Sequence, residues 1–159
     1  MNKILARDKF SHIAWFLTLA IFFLSDRWFK RLSLSEIDLV LIPEFLNFKF
    51  FANKNIAFSL PLEGAWLTFI ITLIIGFLLF YFLRFYWDLN KTTFFGLEAV
   101  ITGALSNLID RFTHGFVIDY LNLRYFTIFN VADILIVSGT VLIFWGLIKE
   151  NRQNANQLK

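Results

Sequence analysis

The chain has no cysteine and only two histidines, His12 and His114. The first absence excludes disulfides, thiol catalysis, Cys-ligated zinc and iron–sulfur clusters. The second leaves no His-x-x-x-His or His-Glu-x-x-His pattern for a metal. Charge is scarce as well: charged residues are 17% of the 159, with a net charge of +3. The Lys and Arg are scattered at segment ends, so no basic face for nucleic acid is formed. What the chain has in quantity is apolar surface. Hydrophobic residues make up 58% and aromatics 19%, with 22 Phe, and the mean hydropathy is +0.64. A soluble domain of this size has no use for so many Phe, and the chain belongs in a bilayer. Its length allows one domain, and four crossings at ~20 residues each would use about half of it.

Four apolar runs are visible. The first, Ile13 to Leu24 continued to Phe29, follows Lys3, Arg7 and Lys9. That resembles a signal-peptide start, but Asp26 and Arg27 follow in place of a small-x-small cleavage site. It reads as an uncleaved membrane helix over about 12–29 with its N-terminus inside. The second, 66–83, is uncharged and aromatic at both ends. The third, 94–109, carries Gly96, Gly103, Ala104 and Ser106, small residues that let helices approach closely in lipid. Glu98 near its start reads as a partly snorkelled interfacial acid. The fourth, 131–148, is followed by a polar, Asn/Gln-rich tail, 149–159, expected to be disordered. The expected fold is thus an all-α polytopic membrane protein with four transmembrane helices. Alternation puts Lys3, Arg7, Lys9, Arg84, Lys91, Lys149, Arg152 and Lys159 on one side. The positive-inside rule makes that side, with both termini, cytoplasmic.

Two segments then face outward, 31–65 and 111–130. Leu46-Asn47-Phe48-Lys49-Phe50 alternates apolar and polar as a half-buried strand does. A small sheet on the membrane surface is expected there, punctuated by Pro43 and Pro61. Asp110, Asp119 and Asp133 all fall at the outer end of the bundle, near one depth. A carboxylate inside a membrane helix costs roughly 2.5–3.5 kcal/mol on insertion scales, so it persists where it has a partner or a job. Two close carboxylates in a poorly hydrated site share a proton. The ionised one can take a proton from water, and the protonated one can bond a scissile carbonyl and help the amine leave. Spacing alone does not select such a dyad. All three acids could instead be structural, paired with Arg111, Arg124 or helix ends.

Four motifs resemble those of the lipoprotein signal peptidases, the bacterial type II signal peptidases. Asp26-Arg27-Trp28-Phe29-Lys30 is similar to the family's Asp-x-x-x-Lys. Asn53-Lys54-Asn55-Ile56-Ala57-Phe58-Ser59 is similar to Asn-x-Gly-x-Ala-Phe-Ser. Gly103-Ala104-Leu105-Ser106-Asn107-Leu108-Ile109-Asp110-Arg111, with Gly115-Phe116-Val117-Ile118-Asp119-Tyr120, is similar to Gly-Ala-x-Gly-Asn-x-x-Asp-Arg and Gly-x-Val-x-Asp-Phe. Phe129-Asn130-Val131-Ala132-Asp133 and Ile136 are similar to Phe-Asn-x-Ala-Asp-x-x-Ile. Their order, each at the matching end of an expected helix, makes the resemblance specific and nearly end to end.

The resemblance implies one integral membrane peptidase domain over 1–159. It implies an aspartyl endopeptidase of the bacterial cytoplasmic (inner) membrane that needs no cofactor or metal. Its substrate would be a diacylglyceryl-modified prolipoprotein, cut before the lipidated cysteine. A monomer would suffice, with membrane lipid around it and no nucleic acid. The catalytic pair maps to Asp119 and Asp133, and Asp110 becomes a supporting group tied to Arg111. Asn53, Asn107, Arg111 and Asn130 would line the site; alternatively the two later asparagines satisfy helix ends and Arg111 snorkels. Asp26 and Lys30, four apart, read as a structural intrahelical pair near the interface. Asn55 and Ser106 stand where the family has Gly. Asn tolerates positive φ, and Ser106 is small enough for close packing, so neither should touch the acids. Phe45, Phe48, Phe50 and Phe58 would rest at the interface while segment 31–65 holds the substrate from above.

Two other classes fit less well. A metal-dependent membrane lipid transferase, its three acids holding Mg²⁺, expects a denser acid motif within one helix. An ion-coupled transport subunit, with Asp26, Glu98 and the outer acids as relays, expects acids spread through the bilayer depth.

Overall fold

The apolar runs of helical length do become helices. A computed structural model describes residues 2–35, 37–54, 64–85 and 89–157. Its elements in chain order are α1 (Asn2–Ser33), β1 (Leu39–Ile42), β2 (Leu46–Asn53), α2 (Ala65–Arg84), α3 (Lys91–His114), β3 (Val117–Leu123), β4 (Ile128–Phe129) and α4 (Val131–Gln157). The helices α2, α3 and α4 are long and apolar enough to cross a membrane. The helix α1 has ample length at 32 residues, but His12, Asp26, Arg27 and Lys30 dilute its apolar run.

Local signals set the helix ends. Asn90 caps α3, its Oδ1 accepting the Thr93 N–H at 3.0 Å. Gly115 stops α3 in the left-handed conformation, φ 79°, and donates its N–H to the Arg111 carbonyl. The helix α4 opens with a reciprocal box. The Asp133 N–H donates to Asn130 Oδ1 at 2.9 Å, and the Asn130 N–H donates to Asp133 Oδ2 at 3.2 Å. At the end of α1, Ser33 Oγ donates to the Lys30 carbonyl at 2.8 Å.

Several expected boundaries move. The polar tail is helical to Gln157, because α4 runs on past its apolar stretch as an exposed helix. The helix α3 continues through Arg111 to His114, so Asp110 lies in a helix and not at the head of a loop. The outward segments pair with each other in one antiparallel sheet of order β1-β2-β3-β4. The strand expected at 46–50 extends to Asn53. Phe48 does not rest at the interface: it is buried against Phe29 and Tyr120, with ring centroids 6.2 and 5.4 Å away. Phe45 and Phe51 are the exposed rings of that segment. Phe58, Asn55 and Pro61 lie outside the described residues.

The helices α3 and α4 pack most extensively of all elements. Glycines permit this. A Cβ on Gly96 would sit 2.6 Å from the Gly139 carbonyl oxygen, and one on Gly103 would sit 2.4 Å from that of Ala132. Glu98 lies two turns into α3, in an apolar groove of about 320 Å³ with Phe16, Leu19, Leu79 and Phe82.

Candidate active site

Four separate elements converge at one end of the bundle. Strand pairing sets Asp119 opposite Phe51 and Asn53 opposite Val117. Asn53 and Asp119 therefore share a face as diagonal neighbours, and Asn53 Nδ2 donates to Asp119 Oδ2 at 2.9 Å. Asp133 occupies the first turn of α4, held by the box just described. Asn130 touches both acids. Its side-chain Nδ2 donates to Asp119 Oδ1 at 2.6 Å while its backbone N–H serves Asp133. Asn107, mid-helix in α3, donates to Asp133 Oδ1 at 2.8 Å. Thus all four carboxylate oxygens of Asp119 and Asp133 meet an amide N–H.

The electrostatics suit a shared proton. Asp119 is only 2% exposed. Burial, reinforced by the nearby Asp133 charge, pushes its carboxyl up to about 7; the Asn53 and Asn130 hydrogen bonds and the Lys30 charge oppose that rise. Asp133 is half-buried, which leaves a face open to water. Arg111, nearly buried, interacts electrostatically with Asp119, Asp133 and Asp110.

Beneath the two acids lies a second charged layer. Lys30 pairs with Asp26 at 3.0 Å, as the four-residue spacing suggests. The pair is wholly buried within the protein. Lys30 also bonds Asp110 Oδ2 at 2.7 Å and Asn107 Oδ1 at 2.8 Å. Asp110 pairs with Lys30 and with Arg27, whose guanidinium forms a close ion pair with Asp110 Oδ1, and accepts the Ile118 N–H at 3.3 Å, beside its electrostatic interaction with Arg111. Ser106 does touch an acid: its Oγ donates to Asp26 Oδ2 at 2.6 Å.

Sequence reasoning missed Arg27 and Tyr120. Arg27 stands three residues before Lys30, and a second cation on that turn was the available signal. Tyr120 follows Asp119 and is 1% exposed. Its hydroxyl donates to Asp26 Oδ1 at 3.0 Å and accepts the Val131 N–H at 3.1 Å, joining β3 to the start of α4. Burial and the Asp26 charge raise its pKa, so the phenol keeps its proton. Asn107 and Asn130 do more than satisfy helix ends, since each reaches a carboxylate. Among the described residues, no three His, Cys, Asp or Glu side chains group as metal ligands.

Known proteins resemble this chain in sequence and fold. The model of the family described as Signal peptidase (SPase) II matches residues 18–149. A lipoprotein signal peptidase of Shewanella sp. (strain MR-4) is 38% identical over 152 residues, covering 86% of this chain and 87% of its own. That of Enterococcus faecalis (strain ATCC 700802 / V583) is 35% identical over 147 residues, covering 88% and 91%. A solved structure, described as a bacterial membrane enzyme determined by the in meso method at 2.3 Å resolution, superposes with a TM-score of 0.75. It is 25% identical and covers 87% of this chain and 89% of its own.

Proposed function

The chain belongs to the signal peptidase II family and, as an aspartyl endopeptidase, removes signal peptides from prolipoproteins; we propose that Asp119 and Asp133 are its catalytic pair. The observation that carries this assignment is the shared residue Asn130. It bonds Asp119 through its side chain at 2.6 Å and Asp133 through its backbone at 3.2 Å. Asp110, by contrast, is fully buried and already spent on Arg27 and Lys30.

The chemistry follows from one proton shared by two acids. The ionised member takes a proton from water. The resulting hydroxide adds to the scissile carbonyl while the protonated member donates to the carbonyl oxygen. The tetrahedral intermediate collapses when the acid that gained the water proton passes it to the amide nitrogen and the other acid takes back the hydroxyl proton, re-forming the C=O. The C–N bond then breaks and the amine leaves. Asn53, Asn107, Arg111 and Asn130 hold the acids and orient the peptide backbone.

The substrate is a precursor whose cysteine already carries diacylglyceryl, cut just before that cysteine. A cavity of about 480 Å³ between α2 and α3 fits this reading. Thr68, Phe69, Thr72 and Phe112 line it, and Arg111 stands in its wall. Acyl chains would stay in lipid while the peptide bond meets the acids. On this reading α1 is a fourth crossing and the chain sits in the bacterial inner membrane; the Lys/Arg bias supports cytoplasmic termini and a site near the outer surface. One copy carries every site residue, so a monomer suffices.

The test is cleavage of a diacylglyceryl-modified prolipoprotein by the purified protein, with EDTA present. Wild type should cut, while folded Asp119→Asn and Asp133→Asn should not. If both variants cut at the wild-type rate, the pair is wrongly assigned and Asp110 is next in line. If EDTA abolishes wild-type cleavage, a metal takes part.

A further inference from the structure

A side-chain amide can sit in the same space two ways round, presenting either N–H or C=O to a given neighbour. At this site donor-only neighbours remove the choice. The Asp133 backbone N–H points at Asn130 Oδ1, which turns Asn130 Nδ2 toward Asp119. Lys30 has no acceptor, and its Nζ lies 2.8 Å from Asn107 Oδ1. Together with Asn130 Nδ2, which donates to the same oxygen at 3.2 Å, that turns Asn107 Nδ2 toward Asp133 Oδ1, 2.8 Å away. Lys30 is fully buried, and its three donors are all used: two on Asp26 and Asp110, the third on Asn107. The first two bonds neutralise buried carboxylates. The third reaches the site and serves no such need.

Both oxygens of Asp133 thus accept N–H donors, one of them polarised by the lysine charge behind it. Asp133 also sits in the first turn of α4, where the helix dipole favours an anion. Asp119 lies in a strand outside any helical turn and is more deeply buried.

We propose that Lys30 is a positioning residue that sets the polarity of the pair: by fixing the Asn107 amide it makes Asp133 the ionised base and leaves the proton on Asp119. This rests on the assignment of Asp119 and Asp133 as the catalytic pair. Other charged and titratable groups face the cluster from each element: Asp26 and Arg27 on α1, Asp110 and Arg111 on α3, and Tyr120 on β3. Arg27 is engaged with Asp110 and Tyr120 with Asp26. Lys30 is the cation hydrogen-bonded to an amide that in turn bonds Asp133.

The test compares pH–rate profiles of full-length wild type, Lys30→Met and Asp26→Asn on a diacylglyceryl-modified prolipoprotein. Thermal denaturation verifies folding. The acid limb reports the base. Losing the lysine charge should move that limb up by about half a pH unit or more and lower kcat about tenfold with KM unchanged. Losing the Asp26 charge should move it down. A merely structural lysine predicts lost folded protein in both variants with the limb in place, and that result overturns the proposal. Should Lys30→Met fail to fold, Lys30→Gln decides, since it removes the charge and keeps a polar side chain: an upward shift supports the proposal and a static limb refutes it. Failure of the dyad itself reads out separately, as cleavage by Asp119→Asn or Asp133→Asn.

Discussion

Replacing Gly103 by Ala adds one methyl where α3 meets the first turn of α4. Built on the existing backbone, that Cβ lies 2.4 Å from the Ala132 carbonyl oxygen, 3.0 Å from Ile136 Cγ1 and 3.1 Å from Leu135 Cβ. The obstructing atom is backbone, so no side-chain rotation relieves it. The start of α4 must retreat by at least about 0.6 Å to regain even the closest tolerable contact, and by about 1 Å for an ordinary one. Asp133 is the next residue after Ala132 and retreats with it. Its bonds to Asn107 and Asn130, at 2.8 and 3.2 Å, cannot both keep their lengths. A misplacement of about 1 Å at reacting groups costs on the order of 100-fold in rate. Gly96→Ala supplies the control. It meets the Gly139 carbonyl oxygen at 2.6 Å, a similar packing insult, but roughly 10 Å further along α3. Both variants should lose about 1–3 kcal/mol of stability from overpacking. Only Gly103→Ala should lose about 100-fold in kcat on a diacylglyceryl-modified prolipoprotein. Equal activity losses in the two variants, or a Gly103→Ala enzyme within twofold of wild type, would refute the reasoning.

Three further outcomes are expected. The Asp119 carboxyl stands at about 7 in the folded chain against 3.8 for a free one, so between those values the folded state binds more protons and stability falls as pH rises through the window. Asp119→Asn lacks that loss and should denature ~5 °C or more above wild type at pH 8, with the gap closing by pH 4; a constant gap contradicts it. Asn53→Ala removes the 2.9 Å donor to Asp119, a bond that favours the ionised form, so the pH optimum for cleavage should move upward. Deleting residues 151–159 should leave cleavage unchanged, because residues 151–156 are exposed and the link from Asn90 reaches only Glu150, at 2.8 Å.

Helix placement was legible where it depends on neighbours along the chain. The apolar run read as 66–83 became Ala65–Arg84, and the last helix starts at Val131 as its Asn130/Asp133 signals require. The tail was misjudged because composition does not register a helix that propagates from an already formed turn. The sheet was mostly missed: β1 and β4 are short, and β3 was taken for part of a loop. Its residues are buried on both faces at first, so they lack the alternation that revealed β2.

The site divides in the same way. By itself the sequence determined that the chain is greasy and cysteine-free, with Asp26, Asp110, Asp119 and Asp133 in three of its four motifs. Spacing along the chain is enough for that, because motif, cap and hydropathy are local. It also determined the Asp26–Lys30 pair, since residues four apart on a helix are neighbours. Only the tertiary structure decided that Asp110 belongs to Arg27 and Lys30, that Ser106 and Tyr120 both serve Asp26, and that Lys30 reaches Asp133 through Asn107. The partners that α1 supplies stand 77 to 94 residues away in sequence, and Asn107 and Asp133 stand 26 apart. Which buried charges meet is set by how the helices and the sheet pack. A buried charge needs a partner in every fold, but its own sequence neighbours do not specify which one.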